Sequence, residues 1–194
     1  RAILDRLIAT AEVVLCSGAP RDLEALGAPF AEARAANPDL IVATITPYGW
    51  TGPKRDWPGT DVTAQAAGGI MSIAGFPDEP PMYIGGSLTA HETSIHAAVG
   101  VIMSIWGVRN GMTGQHVDVS LFDVALHQLT YPGAWYLNSG CRTERLPRSA
   151  HPSTVPVQLQ RTSDGWIFIM CVTQKFWCEL VRTLERPDLG THVD

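Results

Sequence analysis

A carboxylate and two imidazoles gather in one short stretch, GGSLTAHETSIHAAVG, residues 85–100. Glycines open it and small or apolar residues follow, so it reads as a tight loop entering a buried helix. Thr89-Ala90-His91-Glu92 has the Thr-x-x-Glu spacing of a capping box. Thr89 would accept from the amide of Glu92, and Glu92 would reach back to the amide of Thr89, a cap worth about 1 kcal/mol. The same place suits a catalytic carboxylate. Free amides and the positive end of the helix dipole favour an anion. They could also hold the oxyanion formed when a carboxylate attacks a carbonyl. Cap and catalyst both fit Glu92. His96 falls among apolar residues and reads as a satisfied core histidine.

Other chemistries find less support. His91 and His96 are five apart and do not share a helix face, and His91 and Glu92 are adjacent and diverge. A bound metal is not expected. There is no GxSxG elbow for a serine nucleophile. Neither GxGxxG nor GxxxxGK[ST] occurs, so dinucleotide and P-loop sites lack their fingerprints. With a net charge of −5 and no basic run, nucleic acid is not an expected partner. The four cysteines, Cys16, Cys141, Cys171 and Cys178, show no CxxC or zinc spacing. They fit a reduced, cytoplasmic setting. The longest apolar run, AAVGVIMSIWGV (97–108), is too short to span a bilayer and reads as a core helix.

The elements that must position these residues follow from periodicity. Residues 1–11 read as a helix, with Ile3, Leu4, Leu7 and Ile8 on one face. The chain opens without Met and already in helical rhythm, as if its natural beginning lay upstream. EVVLC (12–16) is a short buried strand, and SGAPRDLEALG turns into a short helix closed by Gly27. FAEARAANPDL is a helix stopped by Asn37-Pro38, and LIVATITPYG (40–49) is a strand buried on both faces. This alternation is an α/β signature. The loop YGWTGPKRDWPGTD follows a strand's carboxyl end, where α/β folds place ligands. Helices are expected at 61–73, broken by Gly68-Gly69, at 90–108 and at 121–137, with a strand at 115–120. VQLQRTSDGWIFIMC reads as a hairpin turning at Asp164-Gly165, followed by a helix at 174–185. Residues 1–140 thus read as part of a large domain, and 141–194 as a linker and the start of a small one.

Four stretches together resemble one family: TPYGWTGPKRDWPGTDVTAQAAGGIMSIAG, HETSIHAAVGVIMSIWGVRNGMTGQHVDVSLFDVAL, HPSTVPVQLQRTSDGWIFI and ERPDL. They look like the family III CoA-transferases, the CaiB/BaiF family, which also holds acyl-CoA racemases. The resemblance implies a Rossmann-like large domain, a smaller domain, and two subunits threaded as an interlocked homodimer. It implies acyl-CoA and carboxylic acid substrates and no metal or prosthetic group. It also implies that the chain is the middle of a longer protein. An aspartate carboxylate at the start of the long helix would attack the thioester. That aspartate falls on Ala90 here, so Glu92 is the candidate nucleophile. It lies two residues on and about 200° further round the helix. The racemase pattern, Gly-His-Asp, meets Gly59-Thr60-Asp61. The arginine of the family's CoA-binding segment is replaced within Ser17-Gly18-Ala19-Pro20-Arg21. By the resemblance, Pro20, Arg21, Trp50, Gly52, Asp61, Gly69 and His91 are candidate substrate-binding residues. Asp61 is expected to orient rather than attack, and His116 and Asp118 to serve position. An inactive transferase-like domain that binds acyl-CoA or scaffolds an active partner half, and a racemase-like isomerase, are the alternatives.

Overall fold

The computed structural model describes residues 2–191. Three parallel strands form its centre: β1 (Val13–Ser17), β2 (Ile41–Thr46) and β3 (His116–Ser120), in the order β1-β2-β3. β2 lies in the middle and is buried along nearly its whole length, as its unbroken apolar run requires. Val42 pairs with Val14 on one side and His116 on the other. The α/β reading of the sequence therefore holds.

Helices α1 (Ala2–Ile8), α2 (Pro20–Ala25) and α3 (Ala31–Ala36) accompany the first two strands. Ile8, Leu23, Ala28, Phe30, Leu40 and Val42 form a core cluster there, with Val14, Cys16 and Trp50 packed against it. Pro20 starts α2, where a missing N–H costs nothing. After β2 come α4 (Asp61–Gly68), α5 (Ile70–Ile73) and the long α6 (Leu88–Arg109). α6 lies against β2 and β3 with Thr89, Thr93, Ala97, Ser104 and Gly107 buried. Close approach depends on Gly100, because a Cβ there would stand 2.6 Å from Val117 Cγ1. The opposite stripe, including Ile95, Val99, Ile102 and Trp106, is exposed.

Three expectations are corrected. The first helix ends at Ile8 rather than residue 11. The helix expected at 121–137 is two, α7 (Leu121–His127) and α8 (Thr130–Ser139). Pro132 explains the break: its ring excludes the helical placement of the Gln128 carbonyl four residues back. α6 starts at Leu88, with Ser87 at its N-cap in the left-handed region, φ 53°. Thr89 is thus inside the helix and no Thr89–Glu92 capping box forms.

Beyond α8, β4 (Val157–Arg161) and β5 (Trp166–Met170) pair antiparallel. The expected turn closes with Thr162 N–H donating to Gly165 O at 2.9 Å. α9 (Gln174–Thr183) follows, capped by Thr173, whose hydroxyl accepts from Phe176 N–H at 3.3 Å. No helix among the described residues is long and apolar enough to cross a membrane.

Candidate active site

The carboxyl ends of the three strands deliver the chain to one edge of the sheet. β1 leads into α2, where Pro20 is buried and Arg21 is exposed, 3.6 Å from Asp22. β2 leads into the loop at 47–60, which is tied down at several points. Gly49 N–H donates to Thr46 Oγ1 at 2.8 Å, and Trp50 N–H to Asp118 Oδ2 at 2.9 Å. Arg55 bonds Glu24 of α2 at 2.6 Å, which holds its guanidinium pKa above the ordinary value. Tyr48 meets Trp57 and Phe122, and Lys54 Nζ lies 5.5 and 4.9 Å from those two rings. The Trp50 side chain is spent on packing, edge-on to His116 with centroids 5.4 Å apart. Gly52 sits in an exposed part of the loop with open space around it.

Beneath that loop, β2 and β3 present Thr44, His116 and Asp118 on one face. His116 Nε2 is 2.8 Å from Thr44 Oγ1, and Thr44 Oγ1 is 3.5 Å from Asp118 Oδ1. This looks like a hydroxyl–imidazole–carboxylate set, but Thr44 is fully buried and can meet no substrate. The group instead holds the Trp50 loop. Burial pushes the His116 pKa down, with Arg34 adding to the effect and Asp118 opposing it.

The loop ends at the entrance of α4, where Thr60 N–H donates to Thr63 Oγ1 at 2.8 Å. Asp61 is next, half-buried, and its carboxylate accepts three hydrogen bonds. Ala90 N–H of α6 donates to Oδ1 at 2.7 Å; Gln65 Nε2 and Tyr83 Oη donate to Oδ2 at 2.9 and 2.8 Å. Gln65 is completely buried and also pairs its amide with both main-chain groups of Ile84, at 3.0 Å each. The bond to Asp61 keeps the Tyr83 pKa above its ordinary value. Asp61 thus joins α4, α6 and the connector between them. Gln65 lies within a stretch that carries the family resemblance but was given no role there, and Tyr83 belongs to no motif. A polar Gln between small residues on the buried stripe of α4 was the one available signal.

Helix α6 then supplies Ala90, His91 and Glu92 in its first turns. Ala90 carries no reactive group, and its amide is already taken by Asp61. His91 is exposed, its Nδ1 donating to Ser87 O at 2.9 Å. Thr89 is buried and donates to Gln128 Oε1 at 3.4 Å. Glu92 is half-buried, and its carboxylate has neither a hydrogen-bond nor an ion-pair partner among the described residues. One turn on, His96 donates from Nδ1 to Glu92 O at 2.9 Å and meets the ring of His127 at 5.2 Å. His96 is exposed, not the core histidine expected, because α6 buries its opposite stripe. Among the described residues no group of three or more His, Cys, Asp or Glu could hold a metal ion.

The structure thus brings Asp61, Ala90 and His91 together at two adjoining helix entrances, while Glu92, expected among the free amides, lies past the first turn because α6 starts at Leu88. Trp50 and Gly52 lie on the loop leading to them, and Pro20 and Arg21 on the helix to which that loop is bridged. Gly69 caps the far end of α4, about 12 Å along the helix from Asp61. Chemically the site offers one carboxylate saturated by donors and one left open.

The chain matches the sequence model of CoA-transferase family III over residues 1–194. It is 34% identical over 168 residues to a succinate–glutarate CoA-transferase of Agrobacterium fabrum, covering 87% of this chain and 42% of that protein. It is 29% identical to the alpha and to the beta subunit of a succinyl-CoA–L-malate CoA-transferase of Chloroflexus aurantiacus. Those matches cover 98% and 97% of this chain and 42% and 47% of the subunits. A crystal structure of a CaiB/BaiF family protein from Brucella suis superimposes with a TM-score of 0.79 at 32% identity. It covers 96% of this chain and 49% of that one. The chain spans a little under half the length of these relatives. The chain belongs to CoA-transferase family III.

Proposed function

We propose that this chain is part of a CoA-transferase that moves CoA from an acyl-CoA to a carboxylic acid, with Glu92 as nucleophile. The observation that carries this reading is the unpartnered, half-buried Glu92 carboxylate beside Ala90. A carboxylate that accepts no hydrogen bond keeps its lone pairs available for attack. A Glu92 oxygen would form a bond to the thioester carbonyl carbon as the carbon–sulfur bond breaks. CoA leaves as thiolate and a glutamyl–acyl anhydride remains. Later steps again exchange carboxylate and thiolate on acyl carbons, so atoms and charge balance without a redox change. The CoA thioester is itself the substrate, and such exchange calls for no further cofactor. In this reading residues 1–140 belong to a large domain and 141–194 to a linker and the start of a small one. The whole protein is a cytoplasmic, interlocked homodimer.

A second reading has its own support. Ala90 has no nucleophile, Asp61 already occupies the Ala90 amide, and one relative is named as two distinct subunits. The chain would then be a silent half beside a partner that carries the aspartate. Turnover by the full-length protein separates the two. With succinyl-CoA or acetyl-CoA as donor and a panel of acids, the Glu92 reading expects transfer that Glu92→Gln abolishes. Transfer unchanged in Glu92→Gln, or absent until Ala90→Asp is introduced, supports the second reading.

A further inference from the structure

The loop at 47–60 is fastened in two places by different chemistry. Its outer end is held to α2 by the Arg55–Glu24 bridge and to α7 by Lys54 over Phe122. Its inner end is held to β3. The Trp50 amide donates to Asp118 Oδ2 at 2.9 Å, and the Trp50 ring meets His116 with centroids 5.4 Å apart. Only the inner fastening contains an imidazole.

The surroundings of His116 suit a neutral ring. Nε2 lies 2.8 Å from Oγ1 of the fully buried Thr44 on β2, and Nδ1 has no hydrogen-bond partner among the described residues. An imidazolium carries a hydrogen on both nitrogens, so its Nδ1 hydrogen would lack an acceptor here. The charged groups that act on the ring are Asp118, two residues on along β3, and Arg34 of α3. Burial disfavours the charged ring most, Asp118 favours it, and Arg34 disfavours it. The Asp118 carboxylate is also engaged by the Trp50 amide and the Thr44 hydroxyl.

We propose that His116 is an acid-sensitive latch: when its ring takes up a proton, Trp50 and the inner end of the loop leave the sheet while the outer end stays fastened. Water then reaches the ring and accepts from the second N–H. The sign follows from linkage. The released ring titrates at its ordinary value, 6.5, and the fastened ring below it. Between those values release takes up a proton, so the released fraction grows as pH falls, by at most about tenfold per pH unit. Above both values it does not depend on pH. Trp50 and Gly52 are candidate substrate-binding residues, and the loop ends at Asp61. That the latch governs substrate access rests on the proposed function; that the loop is released does not.

Hydrogen exchange of the full-length protein tests the latch, read by mass spectrometry at about pH 7.5 and about pH 5.5 and corrected for the intrinsic rate at each. The Trp50 amide should lose protection several-fold at the lower pH, up to about tenfold, while Trp57 and β2 keep theirs. In His116→Gln, whose side chain stays neutral, this pH dependence should vanish. The wild-type comparison decides even where that variant fails to fold. Trp50 protection that ignores pH overturns the proposal. So does protection that rises in acid, as it would for an imidazolium held against the Trp50 ring. A loss shared equally by Trp57 and β2, or one that persists in His116→Gln, also overturns it. Exchange is read without substrate, so its failure removes the latch and leaves the proposed function standing. Absent CoA transfer with the exchange pattern intact does the reverse.

Discussion

The entrances of α4 and α6 touch; Asp61 opens α4, Glu92 lies just past the first turn of α6, and the two acids sit in opposite surroundings. Asp61 accepts three hydrogen bonds from three separate parts of the chain. Glu92 accepts none among the described residues. A helix N-terminus attracts carboxylates for structural and for chemical reasons alike. The donor count separates the two: a saturated carboxylate holds the fold, and an open one is free to react.

Exchanging each acid for its amide should break that comparison cleanly. If Glu92 is the nucleophile, as proposed, transferase turnover should fall on the order of a thousandfold or more in Glu92→Gln. Its unfolding free energy from denaturant titration should stay within about 0.5 kcal/mol of wild type, because no partner is lost. Asp61→Asn should do the reverse. It sets an amide where donors from Ala90, Gln65 and Tyr83 converge, and equilibrium unfolding should show a loss of about 1.5–3 kcal/mol. Equal stability losses in the two variants would contradict the division of roles.

A smaller effect probes how α4 is seated. A Cβ at Gly68 would stand 2.6 Å from Ala125 Cβ and 3.1 Å from the backbone of α7. Gly68→Ala should cost about 1–3 kcal/mol in chemical denaturation by forcing the two helices apart. The smallest effect concerns the loop that feeds α4. The folded-state pKa of His116 lies below its ordinary 6.5. Below that value the unfolded chain takes up a proton that the folded chain resists, so stability falls as pH drops from 6.5 toward the folded value. Above it both states are neutral and the effect vanishes. His116→Gln should flatten this part of the stability profile while leaving neutral-pH turnover near wild type.

Much of the scaffold was legible because burial and period coincide there. LIVATIT read as a strand buried on both faces, and the SDG turn marked the hairpin. α6 was visible as a helix, but its first residue was not. Ser87 caps it from a left-handed conformation, and Thr89, which matched a capping box, is drawn inward to Gln128, 39 residues on. His96 misled for a related reason: apolar neighbours were taken to mean a buried face, whereas Ile95, Val99 and Ile102 are exposed. The Asp61–Ala90 bond spans 29 residues, and a contact of that kind leaves no periodic trace. Ala90 itself was found only through resemblance, since an alanine in a helix announces nothing.

The most direct measurement is a trapping experiment on the full-length protein. The protein is incubated with an acyl-CoA donor, quenched with hydroxylamine, and its carboxylates are mapped by peptide mass spectrometry. The account predicts a donor-dependent hydroxamate on Glu92 and none on Asp61. A hydroxamate on Asp61, or none in this chain while CoA transfer proceeds, would contradict it.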